Sequence, residues 1–187
     1  MNWQKLLEIQ GGLDEHIIDS KGLEGQELLD KKILALQVEL GELANEWRGF
    51  KFWSDDQEAK TNQFCLHKLE WTNPLLEEYV DCLHFILSIS LSLGITHEDI
   101  VVEDDLTGET VTETFNELFG YITALYTLKE VNIPASITFD DIQASVNELI
   151  ECFVGLGEKH LGFSWDEVEK AYLDKNKINH ARQENGY

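Results

Sequence analysis

The sequence predicts an all-α fold, and three observations lead to that prediction. Long stretches carry apolar residues at positions i, i+3, i+4 and i+7, which is the spacing of one face of a helix. Only 2 prolines occur among the 187 residues, and both lie where a helix would start or stop. Helix-end signals also flank the most apolar segment, with Asn73 and Pro74 before it and Gly94 after it. We therefore expect one helical bundle spanning residues 1–187, the size of a single domain.

The first two predicted helices cover most of residues 3–47. Periodicity places the first helix at residues 3–18, and a glycine-containing turn at residues 21–25 separates it from the second helix at residues 27–47. The apolar stripe that the second helix turns inward consists of Ile33, Leu36, Leu40, Leu43 and Trp47.

The third helix, predicted at residues 74–93, has the clearest limits. Asn73 can cap its first turn, Pro74 suits the first helical position, and Gly94 fits just past the end. Residues 48–72, which precede it, are polar and aromatic, so we expect a loop and a short helix there.

The second half of the chain predicts three more helices. Residues 96–108 are acidic and weakly periodic, so we expect a connection with one helical turn. The helices follow at residues 110–131, 139–158 and 165–183. Ser164 and Glu167 form the capping-box pattern that is typical of a helix start.

The charge of the chain restricts its binding partners. With 14 basic and 36 acidic residues the formal net charge is −22, and no Lys/Arg cluster could neutralise a run of phosphates. Binding to a nucleic-acid polymer is therefore excluded. An acidic protein can still bind a small anion when a divalent metal lies between them, because the metal is then the largest local charge.

Cysteine content and hydropathy indicate a cytoplasmic protein. Cys65, Cys82 and Cys152 are far apart and form no C-x-x-C pair, so neither a disulfide framework nor a zinc site is predicted. The most apolar stretch, residues 82–95, is too short and too rich in serine to span a membrane.

Two pairs of acidic residues stand at helical spacing. Glu39 and Glu42 are three apart in the second helix, and Glu78 and Asp81 repeat that spacing in the third. Such pairs can form a solvated acidic face. Here, however, apolar residues surround them, and two facing pairs would make the oxygen-rich site that Mg²⁺ or Mn²⁺ prefers.

This E-x-x-E and E-x-x-D pattern resembles the metal motif of the all-α NTP pyrophosphatases, the MazG-like superfamily. The surrounding residues resemble its dimeric dUTPase branch. The resemblance implies a homodimer that hydrolyses dUTP, and also dUDP, with Mg²⁺ held on a four-helix core. The implied metal-binding and catalytic residues are Glu39, Glu42, Glu78 and Asp81, with Glu39 orienting or deprotonating the attacking water.

Three further segments carry the resemblance, at residues 6–17, 50–53 and 172–187. Roles in binding the uracil, the sugar or the phosphates are implied for Gln10, Asp14, Lys51, Trp53, Lys175, Asn179, Arg182 and Tyr187. In this scheme Gln10 and Asp14 read the uracil edge and Trp53 forms a wall for the base. A basic helix end favoured by the helix dipole would also explain the cations near the C-terminus, and Trp53 could simply pack under a loop.

Other functions also fit parts of the sequence. A relative acting on another nucleoside triphosphate would keep the metal site and change the base pocket. A di-iron carboxylate bundle requires two E-x-x-H motifs, and Asp81-x-x-His84 is a single imperfect match in which His84 is more simply a core residue. A helical interaction module whose acidic surface docks a protein such as a repressor fits the charge and the acidic residues 98–109.

Overall fold

The predicted all-α architecture is confirmed in the computed structural model, which describes residues 1–66, 69–130 and 137–186. The helices are α1 (Trp3–Lys21), α2 (Leu29–Trp47), α3 (Pro74–Ser92), α4 (Val111–Glu130), α5 (Phe139–Gly155) and α6 (Trp165–Glu184). Two short strands, β1 (Gln63–Cys65) and β2 (Glu70–Thr72), and one π-helical turn, π1 (Leu156–His160), complete the described elements. No helix of the described residues is long and apolar enough to cross a bilayer.

Helix starts follow the predicted capping residues. Asn73 Oδ1 accepts the backbone N–H three residues further on at 3.1 Å, directly before Pro74 at the start of α3. Ser164 and Glu167 form the predicted capping box at the start of α6. Each cap satisfies backbone donors that the first helical turn leaves unpaired.

The segment between α2 and α3 corrects one prediction. The expected short helix is absent from the described part of residues 48–72, and β1 pairs with β2 as an antiparallel hairpin. Phe64 and Trp71 stand opposite each other in this hairpin with ring centroids 5.5 Å apart. Cross-strand aromatic pairs stabilise a hairpin, which explains why these aromatic residues favour strands over a helix.

Two other segments differ from the prediction. The turn expected to be helical within residues 96–108 is non-helical, and Asp99 closes it by accepting the Thr96 backbone N–H at 2.8 Å. The fifth helix becomes π1 at Leu156, so its α-helical part ends earlier than residue 158. Val131, the predicted last residue of the fourth helix, lies outside the described residues.

Tyr79 shapes the π-helical turn. Its hydroxyl donates to the Phe153 carbonyl oxygen at 2.9 Å, and its ring stacks on the Phe153 ring. A Cβ atom at Gly157 would lie only 2.4 Å from that hydroxyl oxygen. Glycine is therefore needed where π1 passes the buried tyrosine.

Helices α2 and α3 run antiparallel through the middle of the bundle. Lys32 near the start of α2 bonds to Ser92 at the end of α3. At the other end, the backbone of Lys60 bonds both to Glu46 near the end of α2 and to Leu75 at the start of α3. Helices α1 and α6 lie beside them and run parallel to each other. Pairs at both ends show this direction, Lys5 with Glu169 and His16 with His180.

We expect Gly157→Ala to lower the free energy of unfolding by about 1–3 kcal/mol, the usual cost of overpacking a core. The added methyl group would collide with the Tyr79 hydroxyl, which the chain cannot move without losing its bond to Phe153. Urea denaturation followed by circular dichroism measures the change.

The matched control is Gly120→Ala, in an exposed turn of α4 where an added Cβ meets nothing within 4 Å. This change should stabilise the protein by roughly 0.5–1 kcal/mol, because alanine loses less entropy than glycine in a helix. Equal effects of the two substitutions would contradict the proposed close packing at Gly157.

Candidate active site

A cluster of carboxylates lies between α2 and α3. Oxygen atoms of Glu39, Glu78 and Asp81 lie within 4.8 Å of one another, and within the described residues this is the one group of three or more acids, histidines or cysteines at such distances. Glu42 is exposed one turn beyond Glu39, close enough for its charge to act on the cluster. The antiparallel packing of the two helices therefore brings together the acid pairs that the sequence places far apart.

Burial and mutual repulsion perturb these acids. Burial raises the pKa of Glu39 to about 6, with further contributions from the Asp81 and Glu42 charges. The pKa of Glu78 rises to about 7, again mainly through burial and then through the neighbouring acids. Burial also raises the pKa of Asp81, although Lys175 opposes the shift. The negative charges of the cluster thus exceed the positive charge around it, and a divalent cation would relieve this imbalance.

Lys175 of α6 lies directly beside the acids. Its ammonium group donates to the Asp81 carboxylate, and the two side chains are only 19% and 17% exposed. An ion pair shielded from water in this way is screened much less by salt than a surface pair. Lys175 therefore partly balances the cluster, but its single charge leaves Glu39 and Glu78 with raised pKa values.

A cavity of about 460 Å³ adjoins the carboxylate cluster. This volume is within the usual range for a small-molecule site. Seven residues with a predicted role in the site line it: Gln10, Asp14, Glu39, Asp81, Lys175, Asn179 and Arg182. Glu39 and Asp81 lie at one end, which we name the carboxylate end. Gln10 contacts His84, one helical turn along α3 from Asp81, and we name the part lined by Gln10 and Asp14 the base end. Apolar side chains such as Ile17 and Phe85 also line the cavity.

Other predicted residues lie elsewhere. Lys51 donates to Asn45 Oδ1 at 2.5 Å, beyond the carboxylate end, and does not line the cavity among the described residues. Trp53 is 66% exposed and packs edge-on against Phe52. Within one copy of the chain, Trp53 is therefore not a core residue packed under the loop, which was the alternative interpretation. Tyr187 lies outside the described residues.

Sequence reasoning missed the residues that surround Gln10 and Asp14. Asp14 Oδ2 accepts from Lys32 Nζ at 2.9 Å and from Ser88 Oγ at 2.5 Å. Gln10 Oε1 accepts from the Tyr172 hydroxyl at 3.0 Å. Lys32 was detectable, since it lies one helical turn before Leu36 on the inward stripe of α2, where a lysine requires a buried partner.

His84 is a buried residue of this polar group. Its ring stacks on the Tyr172 ring at 4.2 Å, and Nδ1 lies 2.8 Å from Gln10 Oε1. Burial, and secondarily the Lys175 charge, lowers the pKa of His84 to about 3. The imidazole is therefore neutral at physiological pH.

A helical bundle with carboxylates at one end of a nucleotide-sized cavity has the features of an all-α, metal-dependent nucleotide hydrolase. A family model described as dUTPase matches residues 2–187. The chain therefore belongs to the dimeric all-α dUTPase family, in agreement with the MazG-like resemblance. A comparison with curated proteins finds no match.

Membership of this family confirms the predicted activity, that of a dUTP diphosphatase. Enzymes of this kind generally use a divalent metal. The carboxylate oxygens of Glu39, Glu78 and Asp81 are the hard ligands that such an ion prefers, so the residues present fit a metal of this class.

The raised pKa of Glu78 predicts a pH-dependent stability. Its carboxyl group binds a proton more tightly in the folded protein, where its pKa is about 7, than at its ordinary value of 4.5. Stability is therefore lost as the pH rises through this interval. In metal-free protein, we expect Glu78→Gln to raise the melting temperature by a few degrees at pH 8, and to have little effect at pH 5.

Differential scanning fluorimetry in the presence of a chelator measures this difference. Glu117→Gln, an exposed acid on α4, is the control for a change of net charge and should give the same small effect at both pH values. If the melting temperature of Glu78→Gln equalled that of the wild type at both pH values, burial and the neighbouring acids would not destabilise the ionised form of Glu78.

Proposed function

We propose that the chain hydrolyses dUTP to dUMP and pyrophosphate with Mg²⁺ as its metal, and thereby limits the dUTP pool. One observation carries the proposal, the clustering of Glu39, Glu78 and Asp81 at the end of a cavity that also contains Gln10. Carboxylate oxygens favour Mg²⁺ over softer ions, with Mn²⁺ as a substitute. Bound there, the metal would neutralise phosphate charge and activate the attacking water.

We assign the acids separate parts within this site. Glu39 lines the cavity and has a pKa of about 6, near the operating pH that suits a group accepting a proton, so it is our choice for orienting or deprotonating the water. Asp81 lines the cavity too, while Glu78 and Glu42 complete the ligand set behind them.

Residues of α6 are our candidates for holding the sugar and phosphates. Lys175, Asn179 and Arg182 line the same cavity at intervals of one helical turn. Arg182 donates to Asn179 Oδ1 at 3.2 Å and its charge reaches Asp81. We assign Lys175 and Arg182 to the phosphates and Asn179 to the deoxyribose hydroxyl. Since the base and sugar contacts would be the same, dUDP is proposed as a second substrate.

The base end is assigned to uracil. Gln10 and Asp14 present amide and carboxylate groups there, and the apolar lining suits a flat ring. Asp14 is the farther of the two residues from the acids, since it bonds to Ser88, two helical turns along α3 from Asp81.

We further propose that the enzyme is a cytoplasmic homodimer in which Trp53 serves the cavity of the partner copy. Trp53 lies in the loop after α2, beyond the carboxylate end of the cavity. Within one chain it is therefore far from the base end. Large apolar side chains on α2 and in the loop after it are strongly exposed, Leu34 by 62%, Val38 by 51% and Phe52 by 85%. A contact between two copies would cover these side chains. Lys51 in the same loop is assigned to the terminal phosphate.

Release of pyrophosphate from a panel of deoxynucleoside triphosphates, with Mg²⁺ and with a chelator, tests the activity. We expect selective Mg²⁺-dependent hydrolysis of dUTP, and a loss of at least about 100-fold in kcat for Asp81→Asn, because the acids stabilise charge at the reacting phosphate.

Glu148→Gln, an exposed acid on α5, should keep wild-type activity and serves as the matched control. Hydrolysis of a different triphosphate would support the assigned metal site but reject uracil as the preferred base. Turnover that persists in chelator or in Asp81→Asn would reject the assigned metal site.

A mixing experiment tests the shared site. Asp81→Asn and Trp53→Ala proteins are each expected to be weakly active, but co-refolded mixtures should regain about one quarter of wild-type activity, because each mixed dimer contains one intact site. Pyrophosphate release measures the recovery. If each cavity used Trp53 of its own chain, the mixture would show no gain over the average of the two variants.

A further inference from the structure

A chain of hydrogen bonds crosses the base end from Lys32 to His84. Lys32 Nζ donates to Asp14 Oδ2 at 2.9 Å, and Gln10 Nε2 donates to Asp14 Oδ1 at 2.7 Å. Gln10 Oε1 lies 2.8 Å from His84 Nδ1 and accepts from Tyr172 at 3.0 Å. The Gln10, His84 and Tyr172 residues are at most 5% exposed, so water has little access to these bonds.

Each bond in this chain has one permitted direction. An ammonium group only donates, and an ionised carboxylate only accepts. Because Asp14 accepts, the NH₂ group of Gln10 must face it, and the Gln10 carbonyl oxygen must then face His84. That oxygen also only accepts, so His84 carries its proton on Nδ1. The neutral ring therefore has a lone pair on Nε2.

The chain ends in groups that are ready to meet a ligand. His84 Nε2 is buried and has no hydrogen-bond partner among the described residues, and His84 lines the cavity. Gln10 Nε2 has a second N–H, and Asp14 Oδ1 receives one bond within the described part of the chain. A nucleobase in the cavity would thus meet donors and acceptors in a set order.

We propose that Lys32 is a positioning residue that sets base selectivity by fixing the direction of this hydrogen-bond chain. The inference rests on the proposed binding of uracil at the base end. Uracil offers a carbonyl oxygen at position 4 and an N3–H donor, whereas cytosine offers an amino donor at position 4 and an N3 acceptor. With the phosphates held at the carboxylate end, the base cannot turn over to exchange these groups.

Lys32 is the residue whose positive charge keeps Asp14 an ionised carboxylate, and so an acceptor. Ser88 also donates to Asp14, but a hydroxyl group can donate or accept, so it does not impose a direction. Lys32 is held in place by bonds to Ser92 Oγ at 2.9 Å and to the Ser88 carbonyl oxygen at 3.4 Å. Its side chain is 17% exposed and that of Asp14 15%, so the pair is shielded from solvent.

Discrimination by such a site is strong because a mismatched base would leave buried polar groups unpaired. If Lys32 were lost, Asp14 would be a shielded carboxylate without a counter-charge, which favours the neutral, protonated carboxyl group. That group can donate a hydrogen bond, so the amide of Gln10 could turn. Both bases would then find partners, and preference between them would fall while the metal site remained intact.

Steady-state kinetics with dUTP and dCTP test this inference. We expect Lys32→Met to raise KM for dUTP and to reduce the preference for dUTP over dCTP, each about tenfold, the effect of one unsatisfied buried hydrogen bond. The kcat for dUTP should change little, because the carboxylate end is untouched. Lys32→Arg retains a donor-only group and should keep the preference.

The double variant Lys32→Met/Asp14→Asn decides between positioning and simple structural support. It buries no unpaired charge, so it should fold with a melting temperature near that of the wild type. An asparagine can donate or accept, so we expect its preference for dUTP to stay reduced. Lys170→Met, 82% exposed on the outer side of α6, controls for the loss of one positive charge.

A double variant with wild-type preference would overturn the inference, because the pair would then serve stability alone. Unchanged KM and preference in Lys32→Met would overturn it as well, even though dUTP is hydrolysed. A wild-type protein that hydrolyses no dUTP would instead reject the proposed function, and this inference with it.

Discussion

The antiparallel contact between α2 and α3 is the constraint on which the rest of the molecule depends. Three leucines of α2, Leu36, Leu40 and Leu43, are at most 1% exposed. Burial of each contributes about 1.5–3 kcal/mol, whereas a like-charged pair at helical spacing costs a few tenths of a kcal/mol. The apolar contact therefore outweighs the repulsion between acids on the same helices, and the protein can hold Glu39 and Glu78 together before any cation arrives.

Helix periodicity was sufficient to predict the bundle, since each helix is long enough to repeat its apolar stripe several times. The hairpin was not predictable in this way, because β1 and β2 have only three residues each, too few to show an alternating pattern. The acid pairs were visible through their spacing within a helix. The bond from Lys32 to Asp14 was not, because it joins two helices and depends on their relative register.

The two ends of the cavity differ in their balance of charge. At the carboxylate end, negative charges exceed the positive charge of Lys175, and the pKa values of Glu39 and Glu78 rise. At the base end, Asp14 has Lys32 as a close partner, and the polar atoms of Gln10 have partners in protein groups. Unbalanced negative charge at one end favours a bound cation, while the bonds among Lys32, Asp14 and Gln10 at the other hold these side chains in a fixed orientation.

The exit from α2 suggests how this fold can vary in evolution. Arg48 adopts a left-handed conformation with φ of 67° as it closes the helix, and Asn73 and Pro74 start α3 independently. Both helix ends are thus determined locally, whatever connects them. Since each doubling of loop length costs only about 0.6 kcal/mol in closure entropy, residues 61–72 can lengthen or shorten between lineages. New surface features can therefore be gained there without moving the carboxylate cluster.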